Sequence, residues 1–147
     1  MAPSACNAQP WKFVVVDDPG IRARVAAETH GPVVKFNKFA EKAPALVVVI
    51  AEEGNALPQL GGLLKDTRYS LMDIGIAAEH FCLQAAEEGL GTCMLGWFNE
   101  NPIRKILGIP KSRRVALVIT VGFAAGTKAQ KKRSRKELDD IRSFNSY

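Results

Sequence analysis

The residues that could do chemistry in this chain lie in three places. Near its start, Ser4, Asn7 and Gln9 are polar side chains in a proline-containing segment, where they could hydrogen-bond a ligand or brace a turn. Gly96 interrupts an apolar run, so only backbone meets whatever lies opposite, either the flat face of a ligand or a tightly packed neighbour. A basic run at residues 128–136 supplies six positive charges, which suit either solvent or a phosphate group.

The cysteines and histidines do not form a recognisable metal or redox site. Cys6, Cys82 and Cys93 are odd in number and widely spaced, so they make neither a disulfide framework nor a CxxC metal site. This usage favours a reducing cytoplasm. His80 lies within an apolar helical segment, where a packed or interface histidine is commoner than a ligand. We therefore predict no metal-ligating residues.

The element that must position these places is a long helix after Asp66. Its apolar residues surround nearly the whole circumference, whereas packing against one sheet needs a stripe of about 100°. The helix should therefore be buried on two sides, against its own sheet and against a partner. Asp66 or Thr67 could cap its start, and Gly89 its end. Asp73, inside its apolar part, is expected to act as a cap or to pair with an arginine.

Shorter elements surround this helix. The segment 45–51 is apolar throughout and rich in β-branched residues, so it should be a central strand that is covered on both faces. Asp17 or Asp18 is expected to cap a helix that begins at Pro19. Residues 52–62 are predicted to be a loop that could cover a site. The predicted strands are 12–16, 45–51, 91–98 and 114–122, and the predicted short helices are 19–29, 33–42 and 103–107.

The composition is typical of one soluble domain with a basic end. The chain has 147 residues, of which 47% are hydrophobic and 24% charged, and no apolar run of about 18 residues predicts a membrane span. Net charge is +5, of which the basic run contributes +6, so the rest sums to −1. No aromatic residues interleave this run before Phe144, so nucleic-acid binding is not expected. We predict a domain over 1–126 and a C-terminal extension over 127–147.

The segment from Pro3 to Phe13 resembles the P-S-x-x-N-x-Q-P-W-x-F segment of the nitroreductase family. Further resemblances follow in the family's order and together cover nearly the whole chain. They are Asp73-Ile74-Gly75 with Gly91-Thr92, Leu95-Gly96-Trp97-Phe98, the segment 103–110 with its Gly-Ile-Pro turn, and the basic motif Arg133-Ser134-Arg135-Lys136.

This resemblance implies an α+β fold with a mixed central sheet wrapped by helices, a homodimer built around the long helix, and a C-terminal extension that embraces the partner. It also implies FMN, reduced by NAD(P)H and reoxidised by a nitroaromatic, quinone or similar small-molecule acceptor. Flavin would carry the chemistry, so no catalytic side chain is expected. By the same resemblance, Pro3, Ser4, Ala5, Asn7, Leu95, Gly96 and Trp97 would contact FMN, and Arg133 and Arg135 would hold its phosphate.

The start of the chain departs from the family's pattern. Members begin with a helix preceded by an R-x-S-x-R motif whose arginines grip the FMN phosphate, whereas this sequence begins at the loop that follows. A late start of the sequence, a natural short form and a loss of flavin binding are all consistent with this. The alternative function is a flavin-free or weakly flavin-binding relative that acts as a dimeric binding or structural protein. The residues select neither NADH nor NADPH, and they identify no particular acceptor.

Overall fold

The computed structural model describes residues 2–31, 35–52, 68–124 and 134–147. Within these ranges the chain forms four strands, three α-helices and three short 3-10 turns. The strands are β1 (Trp11–Val16), β2 (Ala45–Ala51), β3 (Gly91–Leu95) and β4 (Arg114–Gly122). The helices are α1 (Pro19–Ala27), α2 (Tyr69–Glu87) and α3 (Glu100–Leu107), and the 3-10 turns are Ala5–Asn7, Lys38–Lys42 and Leu138–Asp140.

The four strands form one sheet in the order β1-β2-β4-β3. β2 is an inner strand, as its composition predicts, and its residues 46–50 are all buried. The predicted α+β class is therefore confirmed. Every pair among the described strands is antiparallel, so the parallel pair that a mixed sheet requires is not among them. Strands that follow one another in the chain, β1 with β2 and β3 with β4, pair in opposite directions. A parallel pair would require a crossover connection between its strands.

Helices cover both faces of the sheet. On one face, α1 and α3 pack over buried side chains that include Leu46 and Val118. On the other face, α2 packs through Ile74 and Ala78 against a cluster that includes Val47. Burial of both faces supplies a rigid framework, and the loops at its ends are positioned by that framework.

A β-bulge in β4 determines which of its side chains face each of these two helix layers. The pairing of β2 with β4 shifts between Val49 and Ile50, where β4 contains one extra residue, Ala116. Side chains alternate between faces along a regular strand. The extra residue allows both Val115 and Val118 to face the α1–α3 layer, where both are buried.

The ends of the helices follow the sequence signals where the structure describes them. The Asp18 carboxylate accepts the Ile21 N–H at 2.8 Å, so one of the two predicted caps of α1 is confirmed. Gly89 ends α2 with a φ of +76°, as predicted. Asp66 and Thr67, the predicted caps at its start, lie outside the described residues.

Some predicted boundaries are wrong. α1 ends at Ala27, two residues early, and the Thr29 hydroxyl there donates to the Ala26 carbonyl at 2.7 Å, a local bond that competes with helix continuation. Of the predicted helix 33–42, the described part forms only the 3-10 turn at 38–42. β3 ends at Leu95, so residues 96–98 leave the sheet. Of the predicted loop 52–62, all but Glu52 lies outside the described residues.

The C-terminal residues 134–147 are exposed throughout. Their apolar side chains include Leu138, Ile141 and Phe144, which are 56%, 64% and 77% exposed. This segment therefore does not bury its apolar residues on its own chain, and the predicted division of the chain at residue 126 stays a prediction. Across the ranges described above, no helix has the length and apolar character needed to cross a membrane.

Candidate functional site

The N-terminal loop (residues 3–10) contains the first group of predicted site residues, and its backbone is strained. Cys6, Asn7 and Gln9 have φ values of 50°, 52° and 46°. This is the left-handed region, which side chains with a Cβ seldom adopt and which costs roughly 1–2 kcal/mol per residue. Such conformations persist only where the surrounding structure fixes them.

Polar side chains within the loop supply part of this fixation. The Ser4 Oγ accepts the Gln9 backbone N–H at 3.0 Å. The Gln9 side-chain amide donates to the Asn7 Oδ1 at 3.2 Å. The interpretation of these residues as turn braces is thus confirmed. The Ser4 hydroxyl proton and the Asn7 amide N–H groups are the side-chain donors that the loop can present to a ligand.

Asp73 on α2 fixes the loop through a contact that is distant in the sequence. Its Oδ1 accepts the Ala5 backbone N–H at 3.1 Å, and the residue is only 6% exposed. Asp73 does not cap its own helix, but it accepts the first N–H of the 3-10 turn Ala5–Asn7 and so acts as a cap from a distant element. The expected pairing with an arginine stays a prediction. The loop brings a main-chain donor to this carboxylate from 68 positions away in the sequence.

The second group of predicted site residues surrounds the end of β3. Leu95 is buried, whereas Trp97 is 60% exposed. A Cβ atom added at Gly96 would meet no atom within 4 Å. Close packing within the described chain therefore does not explain this glycine, and the tight-packing interpretation is wrong there. Among the described residues, the space beside Gly96 is open.

The β3–α3 turn (residues 96–99) is held by side chains from the α1 layer. The Asn37 amide, which is buried, donates to the carbonyls of Trp97 and Thr29, both at 3.1 Å. The Asn99 backbone N–H donates to the Glu28 carbonyl at 2.8 Å, and the Asn99 amide donates to the Glu28 carboxylate at 2.9 Å. Sequence reasoning missed Asn37, because a lone asparagine in a helical pattern gives no sign of a partner 60 positions away.

The two groups lie at the same end of the sheet but at opposite edges. β1 begins at Trp11 in the row of Arg114 on β4. β3 runs toward that row, since Leu95 pairs with Val118 and the next residues continue toward Arg114. Three strand spacings of about 4.8 Å separate the edge strands by about 14 Å. The fold thus brings together Pro3, Ser4, Ala5 and Asn7, and separately Leu95, Gly96 and Trp97.

Of the two predicted phosphate-binding arginines, the structure describes only Arg135, which joins neither group among the described residues. Arg133 lies outside the described residues. Arg135 is exposed, and its guanidinium donates only to the neighbouring Ser134 carbonyl, at 3.4 Å. No group of three or more His, Cys, Asp or Glu side chains that could hold a metal ion occurs in the ranges that the structure covers.

Electrostatics after the β3–α3 turn centre on Glu100 in the first turn of α3. Its carboxylate accepts two hydrogen bonds from the Arg114 Nε, at 2.8 and 2.9 Å, and one from the Val115 backbone N–H at 3.0 Å. Partial burial on its own would raise the pKa of Glu100, but these three bonds together outweigh it, so the pKa lies below its usual value. This ion pair is structural, because it joins α3 to β4.

Comparisons with known proteins identify relatives of this chain. The model of the Nitroreductase family matches residues 1–123. An iodotyrosine deiodinase of Haliscomenobacter hydrossis is 30% identical over 84% of this chain and 64% of its own length. An oxygen-insensitive NADPH nitroreductase of Helicobacter acinonychis is 26% identical over 92% of this chain and 77% of its own.

Solved structures of this family have the same fold. An FMN-dependent nitroreductase from Clostridium difficile superimposes with a TM-score of 0.72 and 24% identity, over 100% of this chain and 82% of that one. The expected nitroreductase-like architecture is therefore confirmed. The chain spans less than two thirds of the length of the deiodinase that it matches.

Proposed function

This chain belongs to the nitroreductase family, and from that premise we propose that it is an FMN-dependent oxidoreductase. When bound, FMN supplies hydride transfer from NAD(P)H to a nitroaromatic, quinone or similar small-molecule acceptor. The observation that carries the proposal is the open space at Gly96, which packing among the described residues does not account for. The cysteine usage agrees with a reducing compartment, and we place the protein in the cytoplasm.

In this proposal, the chain's own residues bind and orient the flavin. Leu95, Gly96 and Trp97 would line one face of the ring system, since the missing side chain at Gly96 leaves room for a flat group. The N-terminal loop would contribute the Ser4 hydroxyl and the Asn7 amide as hydrogen-bond donors. The backbone and apolar surface of Pro3 and Ala5 would complete that side, and Arg133 and Arg135 would hold the phosphate.

We further propose that a second copy of the chain completes the site. The outer face of α2 carries exposed apolar side chains, among which Leu71, Met72, Ile76 and Leu83 are 52%, 52%, 38% and 60% exposed. This unburied apolar face supports the proposal that a partner covers α2 on its second side. Since about 14 Å of sheet separates the two groups of site residues within one chain, a cleft between two copies would bring one group of each copy to the same flavin.

Flavin binding is tested by mixing the purified protein with FMN, removing free ligand and recording the visible spectrum. We expect a retained flavin spectrum that bleaches under anaerobic conditions with NADH or NADPH. Gly96→Leu should abolish retention, because its side chain fills the open surface. Gly31→Leu is the matched control, since a Cβ there also meets nothing within 4 Å and the position lies outside the site.

The outcomes separate the two candidate functions. Retention by the wild type and by Gly31→Leu, together with loss in Gly96→Leu at unchanged melting temperature, supports the oxidoreductase. A folded, dimeric wild-type protein that retains no flavin would overturn it, and the alternative of a dimeric binding or structural protein would then take its place.

The dimer is tested by measuring molar mass in solution by light scattering. We expect twice the 16.0 kDa of one chain. Leu83→Glu should yield monomers that also lose flavin, because it places a charge on the proposed interface. Val15→Glu is the matched control, since Val15 is equally exposed at 63% but lies on β1. A monomeric wild-type protein would contradict the proposed assembly.

A further inference from the structure

The 3-10 turn Ala5–Asn7 lacks the cap that its sequence offers. Ser4 occupies the position before the turn, where a serine side chain usually accepts one of the first backbone N–H groups. Here the Ser4 side chain makes no capping hydrogen bond. Its Oγ is instead occupied by the Gln9 N–H at 3.0 Å, a bond that closes the N-terminal loop.

Asp73 holds the turn from outside the loop. Its Oδ1 lies 3.1 Å from the Ala5 nitrogen, so the first N–H of the turn is satisfied from α2 and not from the loop itself. Asp73 is 6% exposed and belongs to a helix that packs on the sheet, so the position of this acceptor is fixed by the core. A carboxylate also binds an N–H about twice as strongly as a neutral acceptor does.

We infer that Asp73 is a positioning residue that holds the N-terminal loop in its left-handed conformation and thereby aligns Ser4 and Asn7 toward their ligand. Without this carboxylate, the Ala5 N–H would lose its acceptor, the turn would come loose from α2, and the bond between the Ser4 Oγ and the Gln9 N–H would open with it. The Gln9 N–H would then be released, and the strained residues could relax. The part of this inference that concerns flavin affinity rests on the proposed function.

The experiment compares Asp73→Ala and Asp73→Asn with the wild type, using the full chain. Asp73→Ala removes the acceptor, whereas Asp73→Asn keeps the shape and a neutral carbonyl oxygen that can still accept the bond. Asp17→Asn is the matched control, because Asp17 is exposed, lies outside the site and undergoes the same chemical change. Asp73→Asn also keeps the test decisive if Asp73→Ala folds poorly.

The first measurement is hydrogen exchange at the Ala5 and Gln9 amides by NMR, in protein without flavin. We expect both amides to exchange roughly tenfold faster in Asp73→Ala, by an intermediate amount in Asp73→Asn, and at the wild-type rate in Asp17→Asn. Wild-type exchange in both Asp73 variants would overturn the inference, because the loop would then hold itself.

The second measurement is the Kd for FMN, well below the melting temperature of each variant. We expect a loss of roughly tenfold or more in Asp73→Ala and partial rescue in Asp73→Asn. A residue that only stabilised the fold would lower the melting temperature and leave this Kd unchanged, and that result would refute the positioning role. If the wild type binds no FMN, the proposed function fails, whereas the exchange rates still decide whether Asp73 holds the loop.

Discussion

The N-terminal loop and the β3–α3 turn lie at the same end of one sheet, yet they are held in different ways. The loop is tied to the rest of the fold by the Asp73 carboxylate of α2 and, at its end, by the Pro10 carbonyl, which accepts the Glu52 N–H at 3.1 Å. Bonds within the loop itself add to these two ties. The turn is tied by two asparagines. Asn37 bridges the Trp97 carbonyl of the turn to the Thr29 carbonyl after α1, and Asn99 donates from its backbone and its side chain to Glu28 at the end of α1.

The difference lies in what each anchor is connected to. Asn37 is buried between the turn and Thr29, which is itself fully buried, so loosening the turn disturbs the core of the α1 layer. Asp73 holds the part of the loop around Cys6 and Asn7, which are exposed, so loosening that part should leave the sheet intact. The turn should therefore respond to mutation through global stability, and the loop through local order.

The largest expected effect is that of Asn37→Ala. This change removes one buried and one partly buried hydrogen bond and leaves the Thr29 and Trp97 carbonyls without this donor, so we expect a loss of about 2–4 kcal/mol in the free energy of unfolding. Urea denaturation measures it. Asn99→Ala is the internal control, because its side-chain hydrogen bond to Glu28 is exposed to solvent, and it should cost about 1 kcal/mol or less.

A smaller loss in Asn37→Ala than in Asp73→Ala would reverse the comparison, since the loop would then be the more deeply connected of the two regions. Equal losses in Asn37→Ala and Asn99→Ala would show that the two asparagines carry the turn jointly.

The next effect concerns strain in the loop. Cys6 has a φ of 50°, and a β-branched side chain is especially unfavourable there. Cys6→Val should therefore lower stability by about 1–2 kcal/mol, whereas Cys6→Gly, which accepts this φ freely, should stay within about 1 kcal/mol of the wild type.

Cys93→Val is the matched control for this change. Cys93 lies in β3, where β-branched residues are favourable, so the substitution should be tolerated. If Cys6→Val unfolds no more easily than Cys93→Val, the loop does not hold a left-handed residue at this position.

The sequence predicted the sheet and the ends of two helices well, because these depend on local patterns. The apolar run at 45–51 and the glycine after α2 each produce the predicted structure from neighbouring residues alone. Of the two roles that the sequence allows for the polar residues of the N-terminal loop, bracing is observed, whereas ligand binding stays a prediction. In each case the interacting groups lie within one element or one turn.

The anchors of the candidate site were not predicted, because they join distant segments. Asp73 accepts an N–H from 68 residues away, and Asn37 donates to a carbonyl 60 residues away. The local sequence around a buried carboxylate does not show whether its partner is a backbone N–H or an arginine side chain. The open surface at Gly96 likewise follows from where β3 ends, which the apolar run to Phe98 concealed.

The smallest expected effect is a pH dependence at the start of α3, beside the turn. Glu100 has a pKa below its usual value in the folded protein, through its bonds to Arg114 and Val115. Its contribution to stability is therefore complete above the unfolded-state pKa and is lost as pH falls through the lower folded-state pKa. Glu100→Gln should be slightly less stable than the wild type at pH 7, and the difference should shrink between roughly pH 5 and pH 3.

Melting temperatures across that pH range measure this difference. Asp139→Asn removes an exposed ion pair with Arg142 in the C-terminal segment and should change neither stability nor its pH dependence. The loop has no equivalent of the Glu100 ion pair among the contacts described for it, so acid should loosen α3 and the adjoining turn through this carboxylate. A wild-type protein whose advantage over Glu100→Gln stays constant down to pH 3 would show that the ion pair does not connect α3 to β4 energetically.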